Sequence, residues 1–155
     1  MEPAHTREKL SEFLSFRLGD EEYAIDILRV REIREHAAPT RIANAPAYVK
    51  GVINLRGSIV PILDLRARFG FEALAPGAAP VVIILSLEER PLGIVVDGVN
   101  DVVALSEEDI RPAPEQLHSV IEQGFVQGLA PVDGRMLIVV DLARLLAPAP
   151  VAVAA

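Results

Sequence analysis

The chain of 155 residues contains no cysteine, and this removes a disulfide framework and any thiolate metal site together. The absence fits a reducing compartment. No apolar run approaches the roughly 20 residues that a membrane-crossing helix needs. The start, "MEPAHTREKLSE", also lacks the apolar stretch of a signal peptide. A soluble cytoplasmic protein without direct membrane insertion is expected. Net charge at pH 7 is -7, whereas a phosphate-backbone partner requires clustered Lys and Arg that displace counterions. Nucleic acid is not an expected partner.

Catalytic signatures are absent too. Neither a G-x-S-x-G elbow nor a G-x-x-x-x-G-K-[ST] phosphate loop occurs. His5, His36 and His118 have no partner at metal-ligand spacing and lie in or near polar loops, so no metal-binding role is assigned to them. Asp64, Asp97 and Asp141 each follow an apolar strand, and paired carboxylates can run acid-base chemistry. Asp64 and Asp141, however, sit where a side chain would cap a short helix. The chain reads as a binding protein rather than an enzyme.

What is present is a hydrophobic fraction of 51%, enough to fill the core of one domain or of two small subdomains. Short β-branched runs flank polar turns at "LGDEEY", "NLRGSI" and "LEERPL", which predicts hairpins. "LRVREIRE" suits either a helix face or a strand. "LSEEDIRPAP" spaces Ser106 and Asp109 as in a helix-start cap, with prolines 112 and 114 ending any helix. Residues 1–11 read as a flexible leader and 147–155, "APAPVAVAA", as a disordered low-complexity tail, leaving 12–146 as the folded part.

The chain also repeats itself. "VKGVINLRGSIVPILDLRARF" (49–69) aligns without a gap on "VQGLAPVDGRMLIVVDLARLL" (126–146), with Val49, Gly51, Gly57, Asp64 and Leu65 meeting identical residues. A weaker match sets "YAIDILRVREI" from Tyr23 on "LGIVVDGVNDV" from Leu92, pairing Glu32 with Asp101 and Ile33 with Val102. Two similar β subdomains follow, roughly 16–80 and 81–146, each too small to bury a good core alone. "ILRVREIRE" interleaves apolar and charged residues as a contact strip would, although an edge strand with solvated charges has the same pattern.

The blocks "FLSFRLGDEEYAIDILRVREIR", "TRIANAPAYVKGVINLRGSIVPILDLR", "GIVVDGVNDVVALSEEDIRPAP" and "GRMLIVVDLARLL" closely resemble CheW-type chemotaxis coupling proteins. The resemblance implies a mainly β fold of two similar five-stranded SH3-like barrels, packed together and intertwined, with short helices, no catalytic activity and no cofactor. It implies two partners, the regulatory domain of a histidine kinase and the cytoplasmic tip of a methyl-accepting chemoreceptor, joined in a membrane-associated array. Motif matches carry receptor contact or support onto Val30, Glu32, Ile33, Asn54, Arg56 and Gly57, beside a hydrophobic groove expected between the subdomains. Glu32 and Arg56, of opposite charge, are expected to pair. For the kinase, Val126, Gly128, Leu129 and Gly134 are the candidates, although turn geometry also explains such glycines. Many members continue into a charged amphipathic tail that is missing from "APAPVAVAA", so no role is assigned there. A coupling protein of a non-flagellar pathway would look the same, and a small acidic hydrolase using Asp64 or Asp97 is the alternative from another class.

Overall fold

The computed structural model describes residues 9–35, 38–70, 72, 79–114 and 125–145. The three histidines, the tail and the leader up to residue 8 lie outside them. Ten strands form: β1 Ser11–Leu18, β2 Glu21–Asp26, β3 Val30–Arg34, β4 Val49–Leu55, β5 Ser58–Asp64, β6 Val81–Leu87, β7 Arg90–Val96, β8 Gly98–Leu105, β9 Val126–Val132 and β10 Arg135–Val140. Two four-residue helices, α1 Leu65–Arg68 and α2 Leu142–Leu145, follow β5 and β10. The ambiguous "LRVREIRE" resolves into a 3-10 turn at Ile27–Arg29 and then β3. Asp26 starts that turn by accepting the Leu28 N–H at 2.9 Å, and Val30 and Ile33 then favour extended backbone.

Four hairpins close on two-residue turns. At Arg56-Gly57 and Asp133-Gly134 both turn residues have positive φ, the backbone of the type I′ turn whose twist matches that of the strands. Asp suits this conformation, whereas Arg56, at φ 51°, does not. Asn54 braces its turn, its Oδ1 accepting the Gly57 N–H at 3.0 Å.

The strands assemble into two five-stranded sheets, ordered β8-β1-β2-β10-β9 and β3-β6-β7-β5-β4. Aligning the halves by their repeat makes β1 to β5 equivalent to β6 to β10, and the two orders then become one order with the halves interchanged. Each sheet takes strands 1 and 2 from one half and strands 3, 4 and 5 from the other. A boundary near residue 80 therefore separates the repeats but not the sheets. The equivalence reaches individual pairs: a bulge at Arg31 between β3 and β6 matches one at Asn100 between β8 and β1, and a bulge at Lys50 matches one at Gln127.

Exchange explains why β1 and β6 are buried on both faces. Leu14, Phe16 and Ile25 of one sheet meet Ile83, Leu85 and Ile94 of the other in the main core. Alternate residues of the same strands fill a smaller core inside each sheet, with Phe13 and Ala24 in the first and Val82 and Ile84 in the second. Phe16, Tyr23, Phe69 and Phe125 stack in succession, with ring centroids 5.7, 5.2 and 5.0 Å apart.

Neither sheet closes through a continuous ladder. The segment leaving one edge strand instead makes a single bridge to the other edge: Thr40, beyond β3, pairs with Val52 of β4, and Arg111, beyond β8, pairs with Leu129 of β9. The bridges need close approach. A Cβ on Gly51 would lie 2.1 Å from the Thr40 carbonyl oxygen, and one on Gly128 would lie 2.6 Å from that of Arg111. Gly128 is thus a seam residue inside β9, not the turn glycine its sequence context implies, while Gly134 does occupy the turn.

Candidate functional site

The expected strip assembles on the second sheet. Glu32 on β3 accepts Arg56 Nη2 at 2.5 Å and Arg34 Nη1 at 3.1 Å, tying β3 to the β4–β5 turn. The Arg56 guanidinium, helped by Arg34, holds the Glu32 carboxyl below the usual carboxylate range. Ile33 faces away from the pair and is 45% exposed, whereas Val30 is half-buried and leans on the main core. Asn54, Arg56 and Gly57 are exposed. A shallow cleft of about 490 Å³ runs past Arg34, Thr40, Val52, Asn54 and Ile59. A smaller one of about 190 Å³ lies between Arg31, Leu55, Arg56 and Ile84. Both are lined from β3 to β7 and the segment before β4, so they lie on one sheet rather than in a groove between two. Strand exchange is the reason, since it places β3, β4 and β5 together.

The second half repeats the strip in outline. Ile33 and Ile59, 45% and 67% exposed, become Val102 and Met136, 48% and 54% exposed. Glu32 becomes Asp101, again held by an arginine. Arg135, at the start of β10, reaches Asp101 at 2.9 and 3.1 Å and also pairs with Glu22. The buried hydroxyl of Ser15 donates to Asp101 at 2.7 Å. Of the four kinase candidates, Gly128 and Gly134 shape the β9–β10 hairpin, Val126 packs on the main core, and Leu129 is half-buried.

The carboxylates weighed for catalysis are occupied structurally. Asp64 Oδ1 accepts the N–H groups of Arg66 and Ala67 at 3.0 and 3.4 Å, and Asp141 that of Arg144 at 3.3 Å, at the starts of α1 and α2. Asp97 receives Arg66 on both oxygens at 2.7 and 2.6 Å and the Gly19 N–H at 2.7 Å. Arginine pairing holds Asp97, Asp101 and Glu22 below their ordinary values of 3.8, 3.8 and 4.5. A carboxylate depressed on folding stabilises the fold above its unfolded pKa, and that stability is lost as pH falls through the folded pKa. Thermal melts should therefore hold their midpoint at neutral pH and drop below about pH 4. An Asp97→Asn/Glu22→Gln variant should show a shallower fall, and an unchanged acid slope would rule these groups out as its source.

Known proteins match this architecture. Residues 12–149 match the model of the CheW-like domain family. The chain belongs to the CheW family. A chemotaxis protein CheW of Klebsiella aerogenes is 52% identical over 135 residues, covering 87% of this chain and 81% of its own. One from Rhizobium meliloti is 42% identical and covers 84% of each. The crystal structure of the scaffolding protein TtCheW from Thermoanaerobacter tengcongensis superposes with a TM-score of 0.77 at 32% identity, covering 85% of this chain and 89% of that one. The two-sheet fold is thus the CheW fold. Sequence reasoning overlooked two features of the strip in this CheW-family chain. Ile59 was legible from alternation, because Val60 and Ile62 face inward. Thr40 carried no signal, since its role is a backbone bridge.

Proposed function

We propose that the chain is a non-catalytic adaptor of a chemotaxis array, coupling a chemoreceptor's cytoplasmic tip to the regulatory domain of a histidine kinase. The observation that carries the reading is the strip itself, where the Glu32–Arg56 ion pair ties β3 to the β4–β5 turn and the same elements leave Ile33 and Ile59 exposed. Arg56 holds a turn conformation that suits Gly, Asn or Asp, and its half-repeat equivalent is Asp133. Architecture alone does not call for arginine there. Val30 supports the strip from the core side, Asn54 and Gly57 set the turn, and the kinase contacts the β9–β10 hairpin around Leu129. Among the described residues, no helix is long and apolar enough to cross a membrane. Signal passes only if receptor states pack differently against the strip, since equal binding of both would shift nothing.

Binding of the full chain to a receptor cytoplasmic fragment and to a kinase regulatory domain tests the reading. Glu32→Arg and Arg56→Glu should each weaken receptor binding about tenfold while leaving kinase binding intact, with partial recovery in the double reversal. Failure of the unaltered chain to bind either partner would discard the adaptor reading. Unchanged receptor affinity in both single variants would discard the strip.

A further inference from the structure

The acidic total conceals a reversal of sign. Residues 30–60 hold five basic side chains, Arg31, Arg34, Arg41, Lys50 and Arg56, against Glu32 and Glu35, a local charge of +3. The other 124 residues hold ten basic and twenty acidic, a charge of -10. The equivalent stretch of the second half, 99–137, holds two basic against seven acidic, a charge of -5. The cations change position by position: Arg31, Arg34, Lys50 and Arg56 align with Asn100, Val103, Gln127 and Asp133.

The structure gathers these cations around the clefts. Arg31 and Arg56 line the smaller one and Arg34 the larger. Arg41 follows the bridging Thr40, and its Cα lies 3.1 Å from where a Gly51 Cβ would sit, next to Lys50. Arg31 and Lys50 are the bulged residues of their strands, and bulges re-aim side chains. Both are exposed, as is Arg41, and none of the three has an ion-pair partner among the described residues. Both halves thus carry an exposed apolar pair and an arginine-held acid, the arginine coming from the β4–β5 turn in one and from the start of β10 in the other, and the segments that carry them are of opposite net charge.

We propose that charge selects between the two strips: the strip on β3 and the β4–β5 hairpin takes a partner surface bearing carboxylates among apolar side chains, and its equivalent on β8 and the β9–β10 hairpin rejects that surface. This rests on the reading of the first strip as the receptor dock, and names the complementary receptor face as acidic and apolar. Arg31, Arg41 and Lys50 raise the rate of encounter, while Ile33 and Ile59 hold the complex once formed. Like charges facing each other at the second strip supply the discrimination.

Two measurements decide it. In stopped-flow association of the full chain with a receptor cytoplasmic fragment, kon should fall about tenfold between about 50 and about 500 mM NaCl. An Arg31→Gln/Arg41→Gln/Lys50→Gln variant should start near the high-salt rate with koff little changed. Binding whose kon ignores salt and these substitutions overturns the charge proposal and leaves the adaptor reading standing. Absence of binding overturns the adaptor reading, and the second measurement still decides the field. Because the chain has no cysteine, Ile59→Cys and Met136→Cys accept a single fluorophore at equivalent positions. At low salt, iodide should quench the first label several-fold better than caesium does, and the preference should reverse at the second. Equal preference at both positions overturns the proposal whether or not the receptor binds.

Discussion

Gly51→Ala is expected to lose most of the fold's stability, whereas Gly57→Ala is expected to lose little of it. Both glycines have positive φ, 144° and 90°, so backbone preference alone does not separate them. Space does. Nothing lies within 4 Å of a Cβ built on Gly57, while one on Gly51 meets the Thr40 carbonyl oxygen at 2.1 Å and its carbon at 2.7 Å. Those are backbone atoms held by two hydrogen bonds, Thr40 N–H to Val52 at 2.8 Å and Val52 N–H back to Thr40 at 2.9 Å. To admit a methyl group the seam must open. The loss should be about 4 kcal/mol or more, a large part of the 5–15 kcal/mol that holds a typical domain together. Gly57→Ala should cost about 1 kcal/mol for its conformation alone. Gly128→Ala, crowded by Arg111 O at 2.6 Å and Ile110 Cγ2 at 2.7 Å without a positive φ, should fall between them. Urea midpoints order the three, and a wild-type midpoint for Gly51→Ala would refute the seam.

The second large effect is expected at Asp97. Its carboxylate joins the β1–β2 turn of one sheet, through Gly19, to α1 beside the other, through Arg66. Both charged partners are largely shielded from solvent. Asp97→Ala leaves a shielded guanidinium and an amide without this acceptor, a loss of about 3 kcal/mol. Asp97→Asn keeps an oxygen for Gly19 and should lose less. A double-mutant cycle with Arg66→Ala should give a coupling above about 1 kcal/mol. A coupling near zero would mean that the pair is incidental to the joining of the sheets.

Much of the fold was legible because local rules recur with the repeat. The Arg56-Gly57 and Asp133-Gly134 turns and the Asp64 and Asp141 caps are short-range chemistry written twice. The family resemblance implied intertwined halves, but which strands are exchanged was not legible, since an apolar run such as "VVIIL" records burial on both faces but not which strand lies beside it. The same limit hid the seam. Gly51 and Gly128 match in the alignment, yet only the bridges show that a carbonyl from about a dozen residues earlier or more lies against them. In the strip, Glu32 and Arg56 were paired from charge and family resemblance, and the ion pair is formed. Arg135 went unnoticed because its partners, Glu22 and Asp101, are 113 and 34 residues distant. The net charge of -7 also hid the local sign, since one average stands for two regions of opposite charge.

Strand exchange has a consequence for the chain while it is being made. β10 sits between β2 and β9, so the edge of β2 stays unpaired until residues near 140 have left the ribosome. At about 5–20 residues per second, more than a hundred residues of synthesis hold that edge open for roughly 5–20 s. β1 waits similarly for β8, and the apolar face of the β1–β2 hairpin waits for β6 and β7. The protein therefore has no folded first half to protect it during translation, and its unpaired, apolar β2 edge is where a nascent-chain chaperone would have to act.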